Sequence, residues 1–451
     1  MSAELDPEHA VEIAVALAAK AGATAADAVA VESESSSSSV RLGEVEKVKL
    51  ARERRLGLRC LVGTRTAVAS TADFSEPSLR RFAADIVEMA SVVAADPYSA
   101  LPGPEELARD WPDLKLADPA GLELDPDERV ERARRCEAAA LGADPRLDNS
   151  EGADFSLSSG RVAYASSIGF AGAYDSTSYG LSVSPVAREN GSMQRDGWWD
   201  SSRALASLAT PEEIGRIAAE RTLRRLSARR VPTQRVPIVF DPITAASLVG
   251  HIAGAVSGTA LYRRASFLLE RMGQEIASPA FTVVDDARIV GAPGSRPFDA
   301  EGLATRRTVV IENGVLRSWL LDGYAARRLG LASTASAGRG VGDVPAAGPS
   351  NFFLEPGAYS PEEIVSSVER GLYVTSLSGF GVNGITGDYS RGASGLWIEN
   401  GALTYPVEEV TIAGNLIDML RDVEMVGNDL KLRTRIAAPT LKVREMALAG
   451  T

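Results

Sequence analysis

One helix-start pattern recurs along the chain and sets much of its secondary structure. A side chain that can cap a helix is followed by proline and then by acidic residues. The cap accepts a free backbone N–H, proline sits where no N–H is needed, and the carboxylates oppose the helix dipole. The pattern predicts helices at four sites: Asp6-Pro7-Glu8, Asp125-Pro126-Asp127-Glu128, Thr210-Pro211-Glu212-Glu213 and Ser360-Pro361-Glu362-Glu363.

Further features support these helix starts. Apolar residues at helical spacing follow the sites. Three of the four place a glutamate three residues after the cap, which is typical of a capping box. Asp241-Pro242 opens a fifth predicted helix, which runs to about residue 256 and carries His251.

The segments between the helices have the features of strands. Residues 40–50 and 56–70 predict a hairpin across the charged segment between them. Residues 162–184 are rich in Ser, Gly and Tyr and predict an antiparallel sheet with one wet face. Other strands and hairpins are predicted at 281–289, at 308–321 with a turn at Asn313-Gly314, and at 395–410 with a turn at Asn400-Gly401.

These elements predict an α+β fold, with an N-terminal helix/hairpin domain and a C-terminal domain rich in antiparallel β-sheet. A chain of 451 residues is expected to form two or three domains. Breaks rich in proline or charge suggest the divisions. The predicted parts are an N-terminal α+β domain at 1–100, a linker at 101–124, a middle region of helix and antiparallel strands at 125–232, and a C-terminal β-rich domain at 233–451.

Two low-complexity stretches are predicted to be loops. The serine run at residues 35–39 favours a flexible loop over an exposed strand. The Gly/Ala/Ser stretch at 333–350 has no periodicity, and loops of that length inside a compact domain are usually functional or mobile.

Composition limits the partners and the compartment. A net charge of −12 disfavours a nucleic-acid-binding surface. The apolar runs are too short and too interrupted to predict a membrane span. The start of the sequence lacks the pattern of a secretory signal, and two distant cysteines do not form a disulfide framework. We therefore expect a cytoplasmic protein.

The inventory of metal ligands is short. The sequence holds two histidines, His9 and His251, and two cysteines, Cys60 and Cys136. A catalytic zinc usually takes three protein ligands, and helical sites place two of them one turn apart. Neither histidine has such a neighbour on a plausible buried face, so we expect no histidine-based zinc site. A carboxylate-only site for a hard cation such as magnesium stays open.

The glycine-rich segments give weaker signals. Residues 250–258 favour helix packing over close approach of a ligand, and residues 336–343 lack the context of a phosphate loop. Residues 381–395 carry Asp388, Ser390 and Arg391, which either line a cleft or serve turn chemistry alone. Nucleophilic catalysis is poorly supported, because no nucleophile elbow is present.

Six blocks of the sequence resemble the TldD/PmbA family, on its PmbA (TldE) branch. Together they cover nearly the whole chain. They include LGLRCLVGTRTAVASTAD, DNSEGADFSLSSGRVAYASSIGF, FDPITAASLVGHIAGAVSGTALYRRASFLL, PFDAEGLATRRTVVIENGVLRSWLLDGYAARRLGL, GFGVNGITGDYSRGASGLWIENGALTYPVEEVTIAGNL and MVGNDL.

The resemblance implies a division of labour between two related chains. A TldD-type chain holds zinc through an HExxxH helix and a later cysteine, and a PmbA-type chain lacks these ligands. Laid over this sequence, the two histidines of that helix fall on Gly250 and Ala255, and its glutamate falls on His251. The cysteine would fall within residues 431–438, which contain none. The resemblance therefore implies that this chain binds no cofactor and that zinc lies on the TldD-type partner.

The expected function is that of a non-catalytic, zinc-less subunit in a heterodimeric zinc metallopeptidase that degrades or processes small or unfolded peptides. The residues expected to line the substrate cavity are His251, Asp388, Ser390 and Arg391. One alternative is a zinc-free homodimeric peptide-binding or scaffold protein. Another is the partner subunit of an amide hydrolase in specialised metabolism.

Overall fold

The computed structural model describes residues 5–450. Residues 1–4 and 451, the outer ends of the first and last predicted domains, lie outside it. The helices are α1 (Pro7–Lys20), α2 (Glu76–Val92), α3 (Pro119–Leu122), α4 (Pro126–Leu141), α5 (Pro211–Leu223), α6 (Pro242–Ala255), α7 (Gly258–Tyr262), α8 (Gly323–Leu329), α9 (Pro361–Ser366) and α10 (Leu416–Arg421).

The strands of the first half are β1 (Ala25–Arg41), β2 (Glu44–Val62), β3 (Arg65–Thr71), β4 (Leu147–Ser166), β5 (Phe170–Glu189), β6 (Ser192–Arg195), β7 (Trp198–Ser202) and β8 (Gln234–Phe240). Those of the second half are β9 (Val283–Asp286), β10 (Arg307–Glu312), β11 (Val315–Leu316), β12 (Ala337–Gly338), β13 (Ala346–Ala347), β14 (Phe352–Leu354), β15 (Arg370–Ser378), β16 (Asp388–Glu399), β17 (Ala402–Asn415), β18 (Val423–Val426), β19 (Ile436–Ala437) and β20 (Leu441–Ala449).

The helix-start pattern is confirmed at all five sites. α1, α4, α5, α6 and α9 each begin at the proline, and the preceding side chain accepts a backbone N–H of the first turn. Of the three predicted capping boxes, only the one at Ser360 is complete, because Glu363 also accepts the Ser360 N–H at 2.7 Å. The capping residues alone therefore predicted these five helix starts correctly.

An antiparallel sheet of seven strands forms the first half of the molecule. Its order is β3-β2-β1-β4-β5-β6, and β7 also pairs with β5. The predicted turn in the charged segment at 51–55 is wrong, because β2 runs straight through it and the hairpin turns at Leu42-Gly43. The loop predicted at residues 35–39 is also wrong. This run lies in β1, with Ser35 opposite Ala51 on one side and Ser158 on the other.

The two faces of this sheet differ in what covers them. α1, α2, α4 and α5 pack on the face that carries Ala28, Leu58 and Phe155. Side chains alternate along a strand, so every second residue points to the opposite face. Many of the residues on that face are serines, and this explains why a strand here resembles a loop in sequence. We call it the serine face; its members include Ser33, Ser35, Ser37, Ser156, Ser158, Ser176, Ser178 and Ser182.

A closed barrel forms the core of the C-terminal part. The strand order β17-β16-β15-β8-β20 closes because β17 also pairs with β20, and β18 extends from β20. A second sheet has the order β11-β10-β9-β14-β19. Most pairs are antiparallel, as predicted, but β8–β15 and β14–β19 are parallel. Both Asn-Gly turns are confirmed, with positive φ at both residues of each pair.

The predicted divisions of the chain stay a prediction. β1 pairs with β4 along most of its length, so one continuous sheet spans residues on both sides of the predicted linker. The linker itself is largely irregular, with one turn of 3-10 helix at Pro104–Glu106 and the short helix α3.

A buried ion cluster joins the two halves. Asp27 accepts hydrogen bonds from Arg59 at 3.1 Å and from Arg339 at 2.8 Å, and the three side chains are at most 7% exposed. Burial alone would raise the pKa of Asp27, but Arg339 and Arg59 together hold it below the usual value. Arg339 belongs to the stretch at 333–350, so this long loop fastens the C-terminal part onto the sheet.

Candidate functional site

The candidate site is built around α6. Asp241 caps the helix by accepting the Thr244 N–H at 2.8 Å, and Pro242 follows at the first helical position. Leu248, Val249 and Ile252 are at most 1% exposed, since α6 lies between the barrel and the second sheet. Helix α6 is therefore a core element with a fixed orientation.

One stripe of α6 stays uncovered. Ile243, Ser247, Gly250 and Gly254 recur at spacings of three and four, so they share a face of the helix, and each is at least partly exposed. A side chain added at Gly254 would meet no atom within 4 Å, and one added at Gly250 would meet only Ile436 Cδ1, at 3.9 Å. We call these four residues the open stripe.

His251 lies next to the open stripe and contacts β16. Its ring and that of Tyr389 are 6.2 Å apart between centroids, with the ring planes at 80°. Arg391, two residues further along β16, points to the same face, and its Nε donates to the Ser378 carbonyl oxygen at 3.0 Å. We call His251, Tyr389 and Arg391 the His–Tyr–Arg cluster.

Arg391 is the only charged side chain of the cluster. Burial lowers the pKa of His251, and the nearby Arg391 lowers it further, which favours the neutral imidazole. Burial raises the pKa of Tyr389 to about 12. Within residues 5–450 no carboxylate forms an ion pair with Arg391. The cluster therefore carries one positive charge without a counter-charge.

The structure separates the four residues predicted to line the cavity. It brings His251 and Arg391 together, whereas Asp388 and Ser390 point to the other face of β16. Asp388 accepts a hydrogen bond from Thr386 Oγ1 at 2.7 Å, and Ser390 is exposed. The sequence reasoning missed Tyr389, although period two along the strand pairs it with Arg391.

The three positions onto which the resemblance lays the zinc helix of TldD-type chains do not form one site. Gly250 is on the open stripe, His251 is beside it, and Ala255 is buried in the core at 4% exposure. The segment at 431–438 does lie against α6, but it presents Ile436 toward Gly250.

The described residues do not fit a metal ion. Glycine, alanine and isoleucine offer no donor side chain at these positions, and no group of three or more His, Cys, Asp or Glu in residues 5–450 could hold one. Cys60 and Cys136 are buried in separate cores of the first half, where burial raises the pKa of each thiol to about 12.

Other cavities lie in the first half of the molecule, two of them on the helix-covered side of the seven-stranded sheet. Cavities of about 440 and 350 Å³ adjoin in the gap between the two helix pairs, where they share Glu34 and Arg52. A third of about 460 Å³ is lined by residues 111–117. Their charged side chains largely pair with each other, as Arg161 does with Asp175 at 2.9 Å.

Family models match three consecutive parts of the chain. They are described as PmbA/TldA metallopeptidase domain 1 at residues 26–90, the central domain at 119–226 and the C-terminal domain at 233–450. The metalloprotease PmbA of Escherichia coli O157:H7 is 40% identical over 410 residues, which cover 91% of this chain and 89% of that protein. The chain belongs to the PmbA branch of the PmbA/TldD metallopeptidase family.

Solved structures of the family share the fold. A Bacteroides thetaiotaomicron protein described as a modulator of DNA gyrase superposes with a TM-score of 0.91 at 31% identity, over 98% of both chains. TldE from Thermococcus kodakarensis has a TM-score of 0.87 at 22% identity, over 98% of this chain and 100% of that one, which shows the fold alone. The family and the α+β fold expected from the sequence are thus confirmed.

Among the helices of residues 5–450, none is both long enough and apolar enough to cross a bilayer.

Proposed function

We propose that this PmbA-type chain is the non-catalytic subunit of a heterodimeric zinc metallopeptidase that degrades or processes small or unfolded peptides. The zinc is held by a TldD-type partner. The observation that carries the proposal is α6: the helix keeps its place in the core, but the positions of the zinc ligands hold Gly250 and Ala255, with Ile436 alongside. Without metal-ligating side chains at these positions, α6 can form part of the wall of the substrate chamber but cannot hold the zinc.

The open surfaces of the chain suit a peptide chamber. The serine face lies on the same side of its sheet as Asp27 and Tyr164, the side to which the C-terminal part is fastened. Ser201 at the sheet edge donates to the Arg433 carbonyl oxygen at 2.8 Å, which connects this sheet to the segment beside α6. Hydroxyl groups can donate to and accept from any peptide backbone, so such a wall is tolerant of sequence.

An edge strand offers a second means of holding extended chains. β2 pairs with β3 only from Leu56 onward, so its outer edge over residues 44–55 has no partner strand within residues 5–450. Unpaired backbone groups on such an edge can accept an added strand. An unfolded peptide can present such a strand anywhere along its length, which supports a preference for unfolded substrates.

The cytoplasm is the proposed location. Both cysteines are free and buried in different cores, so the fold uses no disulfide between them. This is the usual state of cysteines in a reducing compartment.

Co-expression with a TldD-type chain tests the proposal. We expect the two chains to purify together as a one-to-one complex, in preference to either homodimer. The measurement is molar mass by light scattering after size-exclusion chromatography, with this chain alone as the control. A homodimer that persists in the presence of the TldD-type chain would overturn the proposal and favour the zinc-free scaffold. A one-to-one complex that cleaves only small-metabolite amides, and no unfolded peptide, would favour the amide hydrolase.

A further inference from the structure

Two buried polar atoms in the His–Tyr–Arg cluster lack a hydrogen-bond partner within residues 5–450. They are Nε2 of His251 and Oη of Tyr389. The Tyr389 side chain is only 2% exposed, so water cannot readily satisfy its hydroxyl. An unsatisfied buried polar group is costly, and native structures rarely keep one without a reason. Two such atoms in one cluster indicate a missing polar partner, and each of them is able to donate to it.

Arg391 adds a charge to these two donors. Its Nε is held by the Ser378 carbonyl oxygen, which fixes the plane of the guanidinium. Nη1 and Nη2 form no hydrogen bond or ion pair with any of residues 5–450. Asp388, the acid nearest in sequence, points to the other face of β16 and binds Thr386. The cluster thus combines one uncompensated cation with two neutral groups able to donate.

We propose that the His–Tyr–Arg cluster binds a carboxylate of the peptide substrate. The fork of Arg391 matches a carboxylate through two parallel N–H···O bonds. Both atoms are covered in the free chain, so Tyr389 Oη and His251 Nε2 donate to the same oxygens once a side-chain movement uncovers them. One guanidinium and two neutral donors balance one negative charge, whereas a phosphate dianion would need more positive charge. The open stripe beside His251 leaves room for the peptide backbone, because Gly250 and Gly254 present no side chain.

The inference rests on the proposed function, since it assumes a peptide substrate. The carboxylate has two possible sources, the C-terminus of the peptide or an internal Glu or Asp side chain. The cluster would bind a carboxylate from either source with the same geometry. Peptides that differ only in which carboxylate they carry therefore distinguish the two sources.

Binding of an unstructured, fluorescently labelled decapeptide without Asp or Glu tests the inference. Three forms are compared: a free C-terminal carboxylate, a C-terminal amide, and the amide with one internal glutamate. Dissociation constants come from fluorescence anisotropy, on the full chain and on the metal-free pair with the TldD-type chain. We expect the amide form to bind about 10–100-fold more weakly than the best carboxylate form, the range for hydrogen bonds to charged groups. Equal binding of all three forms, or no binding of any form, would overturn the inference.

Variants separate a binding role from a structural one. Arg391→Gln should weaken the carboxylate forms about 10–100-fold and leave the amide form unchanged. Tyr389→Phe should weaken them about 3–10-fold without lowering the thermal midpoint, because it removes an unsatisfied buried hydroxyl. Arg264→Gln is the matched control, since Arg264 is exposed and pairs with the exposed Glu270. Carboxylate binding that withstands both Arg391→Gln and Tyr389→Phe contradicts the inference.

The outcome is distinguishable from failure of the proposed function. Complex formation with the TldD-type chain is measured by size and does not involve the labelled peptide. A stable pair that ignores the carboxylate rejects the inference alone. A chain that binds the carboxylate form but forms no pair rejects the proposed function and keeps the inference.

Discussion

Replacing Asp27 by alanine is expected to lower the free energy of unfolding by about 3–5 kcal/mol, the cost of removing one partner from a buried ion pair. The change leaves the guanidinium groups of both Arg59 and Arg339 buried without their acceptor, at 7% and 1% exposure. Because Arg339 comes from the C-terminal part, the variant should also loosen the contact between the two halves. Urea unfolding followed by circular dichroism measures the loss.

The control for this variant is Asp175→Ala. Asp175 pairs with Arg161, but these side chains are 54% and 46% exposed, so the expected loss is below about 1 kcal/mol.

The pH dependence of stability provides a second check on the role of Asp27. Since the arginines hold the pKa of Asp27 below its ordinary value of 3.8, its contribution is complete above that pH and disappears as the pH falls through the folded-state pKa. An Asp27→Ala variant as stable as the unaltered chain at pH 7 would refute the role of the ion cluster.

Replacing Gly57 by alanine is expected to displace the loop at 333–350 from the sheet. A Cβ at Gly57 would lie 1.5 Å from the carbonyl oxygen of Val341, which is backbone and cannot rotate away. We expect a loss of ~1–3 kcal/mol, typical of overpacking, and faster amide hydrogen exchange in the loop. Hydrogen exchange read by mass spectrometry localises the effect.

Gly254→Ala is the matched control for Gly57→Ala. An added Cβ there meets nothing within 4 Å, and alanine favours a helix interior over glycine by ~1 kcal/mol. This variant should be slightly more stable than the unaltered chain, with no change in exchange at 333–350. If the loop exchanges equally fast in both variants, close packing of Val341 on Gly57 does not hold the two halves together.

The helix starts were predictable because capping is a local property of a few neighbouring residues. The hairpin turn was not, since the true turn at Leu42-Gly43 lies within a polar stretch where alternation carries no signal. Ser35 and its neighbours form a strand because β2 and β4 pair with them on both sides, and the sequence does not display those partners locally. Long-range pairing overrode the loop composition.

The candidate site was predictable only in part. The overlay of the zinc helix pointed to His251 and the glycine-rich segment at 381–395 pointed to Arg391, but their proximity depends on how β16 packs against α6. Strand periodicity alone predicts that Tyr389 and Arg391 share one face and that Ser390 lies on the other. The buried cluster at Asp27 was beyond sequence reasoning, because Arg339 is 312 residues away along the chain.

The central claim is that the zinc of the pair lies on the TldD-type chain and that this chain contributes none. The most direct test is elemental analysis for zinc, with peptidase activity measured on the same samples. The samples are this chain alone, the TldD-type chain alone and the purified pair. The account predicts no bound zinc and no activity for this chain alone, zinc in samples that contain the partner, and full activity only in the pair. Stoichiometric zinc together with full peptidase activity in this chain alone would contradict the account.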